Sequence, residues 1–249
     1  MVDRRLAIIC SVFVICIATL FFLKPFPQDP GFHNFMDTGS IAGIPNFWNV
    51  VTNLPFFIVG IWGLLKVSRT SASGPLLLCA GSFFVGVFLT SLGSSYYHYL
   101  PNNDSLVWDR VPMTIAFNGF MAFIIGLRIS QRYLKPLLVV LLILGVLSVF
   151  YWHYTETLGR GDLRAYGLVQ FGVMVFVPLI LFLYPNKTDS YADVYFALAF
   201  YVIAKLLEVF DGPIYQALGG FIGGHPLKHL SAGVSTYLLG RWMLRHCGT

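Results

Sequence analysis

Three histidines and an aspartate lie near the ends of apolar segments, and their spacing suits a metal site. His225 and His229 are four residues apart, as are Ser94 and His98, so each pair shares one face of a helix. Asp109 follows His98 by eleven residues. Ionisable side chains are costly beside lipid and usually mark a functional site. Three neutral imidazoles with an open fourth position form the ligand set of a catalytic zinc, so the pattern predicts zinc at the three histidines.

The composition is that of an integral membrane protein. Of the 249 residues, 57% are hydrophobic and 11% are charged, whereas roughly a quarter of the residues are charged in an average soluble domain. A helix needs roughly 20 apolar residues to cross a bilayer. Eight stretches meet this requirement, at about 6–24, 47–66, 75–99, 108–129, 134–152, 164–184, 191–211 and 225–245. The predicted fold is therefore an all-α, polytopic membrane bundle with eight spans.

The first apolar segment has features of both a signal peptide and a retained signal anchor. Met1-Val2-Asp3-Arg4-Arg5 resembles the basic region of a signal peptide. The apolar run of about 18 residues is longer than a signal-peptide core of roughly 7–15 residues, and Phe21-Phe22-Leu23-Lys24-Pro25 offers no clear cleavage site. We expect a retained anchor with its linker over residues 1–31 and a membrane domain over 32–249.

Lysine and arginine are distributed unevenly between alternate connections. One side of the predicted membrane receives ten of them, Arg4, Arg5, Lys66, Arg69, Arg128, Arg132, Lys135, Lys187, Arg241 and Arg245. The other side receives four, Lys24, Arg110, Arg160 and Arg164, while Lys205 and Lys228 lie inside predicted helices. Because positively charged connections stay in the cytoplasm, both termini are predicted to be cytoplasmic. The asymmetry also accounts for the net charge of +5 without a nucleic-acid partner.

This topology brings the chemically suited residues to one face of the membrane. The relevant ends of segments 75–99, 108–129 and 225–245 all lie on the extracytoplasmic side. They carry Ser94, His98, Asp109, His225 and His229. A single histidine in an apolar helix is more often a packing residue than a ligand. The convergence of two i, i+4 pairs and a carboxylate favours the metal site.

The other histidines and the cysteines lack a comparable pattern. His33 lies in the first external loop, His153 at an external helix end and His246 near the cytoplasmic terminus. The cysteines lie in apolar helices or at the cytoplasmic end, and no CxxC pair occurs: Cys10, Cys16, Cys79 and Cys247. Neither a disulfide framework nor a thiolate metal site is indicated.

Three sequence motifs together resemble the signature of the alkaline ceramidases. They are Gly93-Ser94-Ser95-Tyr96-Tyr97-His98, Asp109-Arg110-Val111-Pro112-Met113 and the HxxxH of His225 and His229. Phe47-Trp48-Asn49-Val50-Val51-Thr52-Asn53-Leu54 resembles the opening of the first core helix of that family. The family belongs to the CREST group of membrane hydrolases, which includes adiponectin-receptor-like proteins. The resemblance spans about 32–245, fits a bacterial-type member, and implies a seven-helix core preceded here by one N-terminal helix.

The resemblance implies that zinc is bound by His98, His225 and His229, with Asp109 and Ser94 on the open side of the metal. Zinc lowers the pKa of a bound water to around 7. Asp109 is then suited to accept the water proton and pass it to the departing amine. Ser94 is suited to donate to the oxyanion on the attacked carbonyl. The alternative for Ser94 is a hydroxyl bonded back to its own helix.

One segment departs from the family pattern. Eukaryotic alkaline ceramidases carry an acidic calcium-binding stretch before the first core helix. Here the matching region contains Asp37 as its one clear acid, and Asn46 precedes Phe47. Calcium takes six to eight oxygen ligands, usually with several carboxylates. The segment is thus a poor calcium site, and Asp37 is expected to cap or anchor the loop instead.

The segment at 191–211 also carries ionisable residues. Lys205 and Glu208 are three residues apart, and we expect them to form a structural pair on one helix face. Asp211 lies near the outer end, at the level of the predicted zinc. Two interpretations stay open for Asp211, a helix-end role and the orientation of a zinc-bound histidine.

The expected function is zinc-dependent hydrolysis, within the membrane, of an N-acyl bond in ceramide or a related lipid. A two-chain lipid can reach an intramembrane metal laterally, whereas a soluble substrate cannot easily do so. Two alternatives remain, a lipid receptor or sensor with a structural zinc and an esterase in lipid remodelling. Asp109 beside an open coordination position argues against the receptor, because a structural zinc is normally closed by four protein ligands. The same residues would serve an esterase.

Overall fold

The computed structural model describes residues 3–71 and 73–248, and its regular secondary structure is helical. The α-helices are α1 (Arg4–Phe22), α2 (Phe47–Val51), α3 (Leu54–Arg69), α4 (Pro75–Tyr99), α5 (Asn103–Arg128), α6 (Leu134–Thr157), α7 (Arg164–Leu183), α8 (Ala192–Val209), α9 (Asp211–Ala217) and α10 (Gly224–His246). A 3₁₀ turn covers Pro30–His33, and one isolated bridge joins Ile41 to Ile44. The described residues form no β-strand. The all-α class predicted from the sequence is confirmed.

Six of these elements are long and apolar enough to cross a membrane. They are α1, α2 with α3, α4, α5, α6 and α7. The other two long helices are not among them: α8 carries Asp193, Lys205 and Glu208 within 18 residues, and α10 combines Lys228, Arg241 and Arg245 with several histidine, glycine and serine residues. Length and composition therefore support a membrane protein with six candidate spans.

Several predicted boundaries shift for identifiable reasons. The segment predicted at 47–66 is broken between α2 and α3, at Thr52 and Asn53. The segment predicted at 108–129 starts earlier, because Asn102 and Ser105 form a reciprocal capping box that starts α5 at Asn103. The segment predicted at 191–211 ends at Val209, and Asp211 opens the short α9.

The helices α4 and α5 approach each other closely at Gly93. A Cβ on Gly93 would overlap the carbonyl oxygen of Trp108. Trp108 precedes Pro112 by four residues, and proline has no N–H, so this carbonyl has no intrahelical donor from position 112. The missing side chain at Gly93 lets α4 lie against that carbonyl. The contact places Ser94 beside Asp109 and His98 one turn further along α4.

The first helix lies at the edge of the bundle. No residue of α1 is buried, and Phe13 packs against Phe176 of α7 with ring centroids 6.0 Å apart. Arg164 Nη1 donates to the carbonyls of Leu20 and Leu23 at 2.9 and 2.8 Å. Arg164 also bonds Asp162, and these hydrogen bonds hold the pKa of the Asp162 carboxyl below its ordinary value. Arg164 thus fixes the C-terminal end of α1 to the start of α7.

The approach of α4 to α5 predicts a specific sensitivity to added volume. Gly93→Ala should destabilise the purified protein by about 1–3 kcal/mol, because the new methyl group would push against the backbone carbonyl of Trp108 in α5. Gly81→Ala is the matched control in the same helix, where the added Cβ would meet only Val67 Cγ1 at 3.8 Å. Thermal unfolding in detergent measures both variants. Equal melting temperatures would show that the α4–α5 contact is not tight.

Candidate metal centre

The structure brings together the three histidines singled out by the sequence. His98 lies in the last turn of α4, while His225 and His229 lie in the first turns of α10. All three side chains are buried, and one nitrogen from each lies within 4.8 Å of the others. The Nε2 atoms of His98 and His229 are 3.2 Å apart, close to the edge of about 3.3 Å expected between ligands of a tetrahedral zinc. The cluster could therefore hold a metal ion.

The tautomer of His229 is set by Thr52. The Thr52 hydroxyl donates to the carbonyl of Trp48 at 2.6 Å. A hydroxyl has one proton, so at 3.0 Å it accepts from Nδ1–H of His229. The lone pair of His229 is then on Nε2, the atom that faces His98. Sequence reasoning missed Thr52; its signal was a threonine at the break between α2 and α3, with no spacing that pointed to His229.

The surroundings of His98 hold the residue in place and leave one of its ring nitrogens without a partner in the described part of the chain. Asn46 Nδ2 donates to the backbone carbonyl of His98 at 2.8 Å. The ring of Phe35 lies 4.7 Å from the rings of both His98 and His225. Nδ1 of His98 is buried and has no hydrogen-bond partner among the described residues. Among the described residues, the ring nitrogens of His98 make no hydrogen bond outside the histidine cluster. His98 could therefore bind a metal without breaking such a bond, which fits a metal ligand.

Asp211 secures the start of α10. Its carboxylate accepts from the backbone N–H of His225 at 2.8 Å and from that of Met36 at 3.0 Å. It therefore joins the loop that carries Phe35 to the first turn of α10. Of the two interpretations left open by the sequence, this contact favours the helix-end role. The carboxylate bonds the backbone of His225 and positions that histidine through the helix.

A cavity of about 200 Å³ extends from His229 into the bundle. Asp109, Ser94 and His229 line it, with Ser94 next to the Asp109 carboxyl. The cavity reaches Leu239, ten residues beyond His229 on α10, which corresponds to a depth of about 15 Å at the rise of an α-helix.

Charged residues form one wall of this cavity. Lys205 Nζ lies 2.7 Å from Glu208 Oε2, so the predicted pair is present. Lys228 Nζ lies 2.8 Å from Glu208 Oε1 and also 2.8 Å from Nε2 of His225. Sequence reasoning had placed Lys228 inside a helix and given it no role. Its only signal was a spacing of three from His225, while its partner Glu208 comes from another helix.

The remaining histidines lie away from the cluster. His33 bonds Tyr97 and Asn103, and His153 bonds Asp104. His246 bonds Asp189 and the carbonyl of Trp242, at the far end of α10.

Asp37 makes a local contact in the loop before α2. Its Oδ1 accepts from the Gly39 N–H at 3.2 Å, and its backbone carbonyl accepts from Asn49 Nδ2 at 2.8 Å. Burial raises the pKa of the Asp37 carboxyl above its ordinary value. These contacts agree with the expected anchoring of the loop.

No protein-family model matches this chain, and no curated protein matches it. The residues of the cluster and the geometry of the cavity are thus the basis for a functional assignment.

Thr52 provides a test of the histidine arrangement. Thr52→Val removes the hydroxyl that fixes the His229 tautomer while keeping the shape, and we expect metal affinity to fall about tenfold or more. Chelator competition on the purified protein measures the affinity. Thr114→Val is the control, since that buried hydroxyl bonds Val111 of its own helix. Unchanged affinity in Thr52→Val would show that the hydroxyl does not orient the ligand.

Proposed function

We propose that this chain is a zinc-dependent intramembrane hydrolase that cleaves the N-acyl amide bond of ceramide or a related lipid. The observation that carries the proposal is the cluster of three buried histidines at the head of an apolar cavity that Asp109 also lines. Three imidazoles leave a fourth position open, as in catalytic zinc sites. The resemblance of the motifs to those of the alkaline ceramidases points to the same chemistry.

The shape of the cavity supports a lipid substrate. Its deeper part is lined by apolar side chains, including Phe83, Phe120 and Leu239. It also lies between α7 and α8, which follow each other in the chain yet hardly pack together, because α8 packs mainly on α10. Gln170 Nε2 donates to the Tyr201 hydroxyl at 3.0 Å across this gap. In this proposal a lipid enters from the bilayer between these two helices, which requires this hydrogen bond to open.

Asp109 and Ser94 have complementary tasks in the proposed reaction. Zinc held by the histidines would polarise the acyl carbonyl and lower the pKa of the attacking water. Asp109 accepts the water proton and later delivers it to the amine nitrogen as the C–N bond breaks. While Asp109 is ionised, the neighbouring Ser94 hydroxyl can donate a hydrogen bond to its carboxylate. Once Asp109 has taken the water proton, the Ser94 hydroxyl is free to donate instead to the oxygen of the attacked carbonyl.

The functional test compares matched lipids with the wild type and two aspartate variants. Purified protein should release fatty acid from N-acyl lipids, and a chelator should abolish this until zinc is restored. Asp109→Asn should retain zinc and lose about a hundredfold or more in turnover, in line with a positioned acid–base group. Asp104→Asn, on the exposed first turn of the same helix, should remain active.

Two outcomes would contradict the assignment. Fatty-acid release that a chelator does not affect would remove the metal from the mechanism. Release from O-acyl lipids alone, with N-acyl lipids untouched, would make the protein an esterase that uses the same residues.

We also propose eight spans, with both termini cytoplasmic and the zinc site toward the extracytoplasmic face. Three of the basic residues expected inside, Arg128, Arg241 and Arg245, lie at the end of the bundle away from the histidine cluster. Asp189 bonds Arg128 and His246, and Asp193 bonds Arg241 and Arg245. These ion pairs satisfy charges on α8 and α10 that would be costly beside lipid. The Lys and Arg asymmetry then sets the orientation.

Sidedness can be measured in intact cells. A reporter fused after Thr249 should be cytoplasmic, whereas a tag in the Asn102-Asn103-Asp104 segment should be accessible from outside. That segment joins α4 to α5, so its location reports the side on which His98 and Asp109 lie. An outside reporter with an inaccessible loop tag would invert the topology and move the site to the cytoplasmic leaflet.

A further inference from the structure

Lys228 contacts a predicted metal ligand directly. Its Nζ is 2.8 Å from Nε2 of His225 and 2.8 Å from Oε1 of Glu208. The side chain is 17% exposed and lies on the cavity wall, three residues along α10 from His225. The contact therefore joins the histidine cluster to the acidic side chain of α8.

The contact with His225 is chemically incompatible with a bound metal. An ammonium can only donate, so Nε2 of His225 must accept with its lone pair. A neutral imidazole has one lone pair and one N–H. If a metal takes the lone pair of Nε2, Lys228 loses its acceptor. If a metal takes Nδ1 instead, the proton must lie on Nε2, which again cannot accept from Lys228. Metal at either ring nitrogen therefore breaks this hydrogen bond.

Glu208 can keep the Lys228 ammonium hydrogen-bonded after it leaves His225. It already accepts from Lys228, and its other oxygen accepts from Lys205 at 2.7 Å. Two lysines thus share one carboxylate, so the group retains an excess positive charge beside His225. That charge opposes a divalent cation, while Glu208 keeps Lys228 satisfied after it leaves the histidine.

We propose that Lys228 competes with the metal for His225 and sets the affinity of the site, with Glu208 holding the ammonium when the metal binds. This rests on the proposed function only in requiring that the three histidines bind zinc. Lys228 is in this sense a positioning residue. It acts on a metal ligand rather than on the substrate.

The test measures zinc affinity by chelator competition and does not use turnover. Lys228→Met keeps the length of the side chain and removes the charge, and it should bind zinc about tenfold more tightly or better. Lys205→Met is the matched control, since it removes an equal charge from the same carboxylate without touching His225. It should change affinity by less than about threefold, the size expected of a more distant charge. Lys228→Gln provides a second uncharged variant and should also bind more tightly.

A double-variant comparison separates the hydrogen bond from the general charge. Glu208→Gln should weaken zinc binding in the wild type, because Lys228 is then left on His225. The same change in the Lys228→Met background should have a smaller effect. Equal gains from Lys228→Met and Lys205→Met, or no gain from Lys228→Met and Lys228→Gln, would overturn the proposal. A wild type without zinc would instead overturn the proposed function, so the two failures are distinguishable.

Discussion

The close approach of α4 to α5 is the constraint on which the rest of the site depends. Gly93 has no side chain, and the facing carbonyl of Trp108 receives no helical hydrogen bond from Pro112, so two backbones meet where side chains would normally separate them. Ser94 and Asp109 follow Gly93 and Trp108 directly in the chain, so the contact sets their mutual position. His98, one turn beyond Ser94, is placed by the same contact against the start of α10.

A second constraint is the pairing of charge within an apolar bundle. Glu208 serves two lysines, and Asp193 serves two arginines. Among residues 3–71 and 73–248, Arg110 forms no ion pair; its Nη2 donates to Gln28, and its guanidinium carbon lies 4.1 Å from the Trp152 ring centre and 4.7 Å from that of Tyr166. Aromatic faces stabilise such a buried cation. The wall of the cavity therefore contains charged groups, most of which already form ion pairs or contact aromatic rings.

The sequence predicted those parts of the molecule that follow from local spacing. The i, i+4 pairs located the histidines and Ser94, and the apolar segments predicted the helical class. Contacts between distant segments were not predictable in this way. Thr52 meets His229 only because the chain breaks between α2 and α3, and Lys228 meets Glu208 only because α8 packs on α10. Three charged residues within 18 explain why α8 is less clearly a span than the other long helices, whereas in α10 histidine, glycine and serine add to the effect of the charges.

The carboxylate of Asp211 makes both of its contacts to backbone N–H groups, at Met36 and at His225. The side chain at position 36 therefore plays no part in the bond. Any residue except proline, which lacks the N–H, would preserve it. Such substitutions at position 36 therefore leave the path of the loop unchanged. Phe35 stays against the histidine rings because the neighbouring backbone N–H, and not a side chain, makes the hydrogen bond to Asp211.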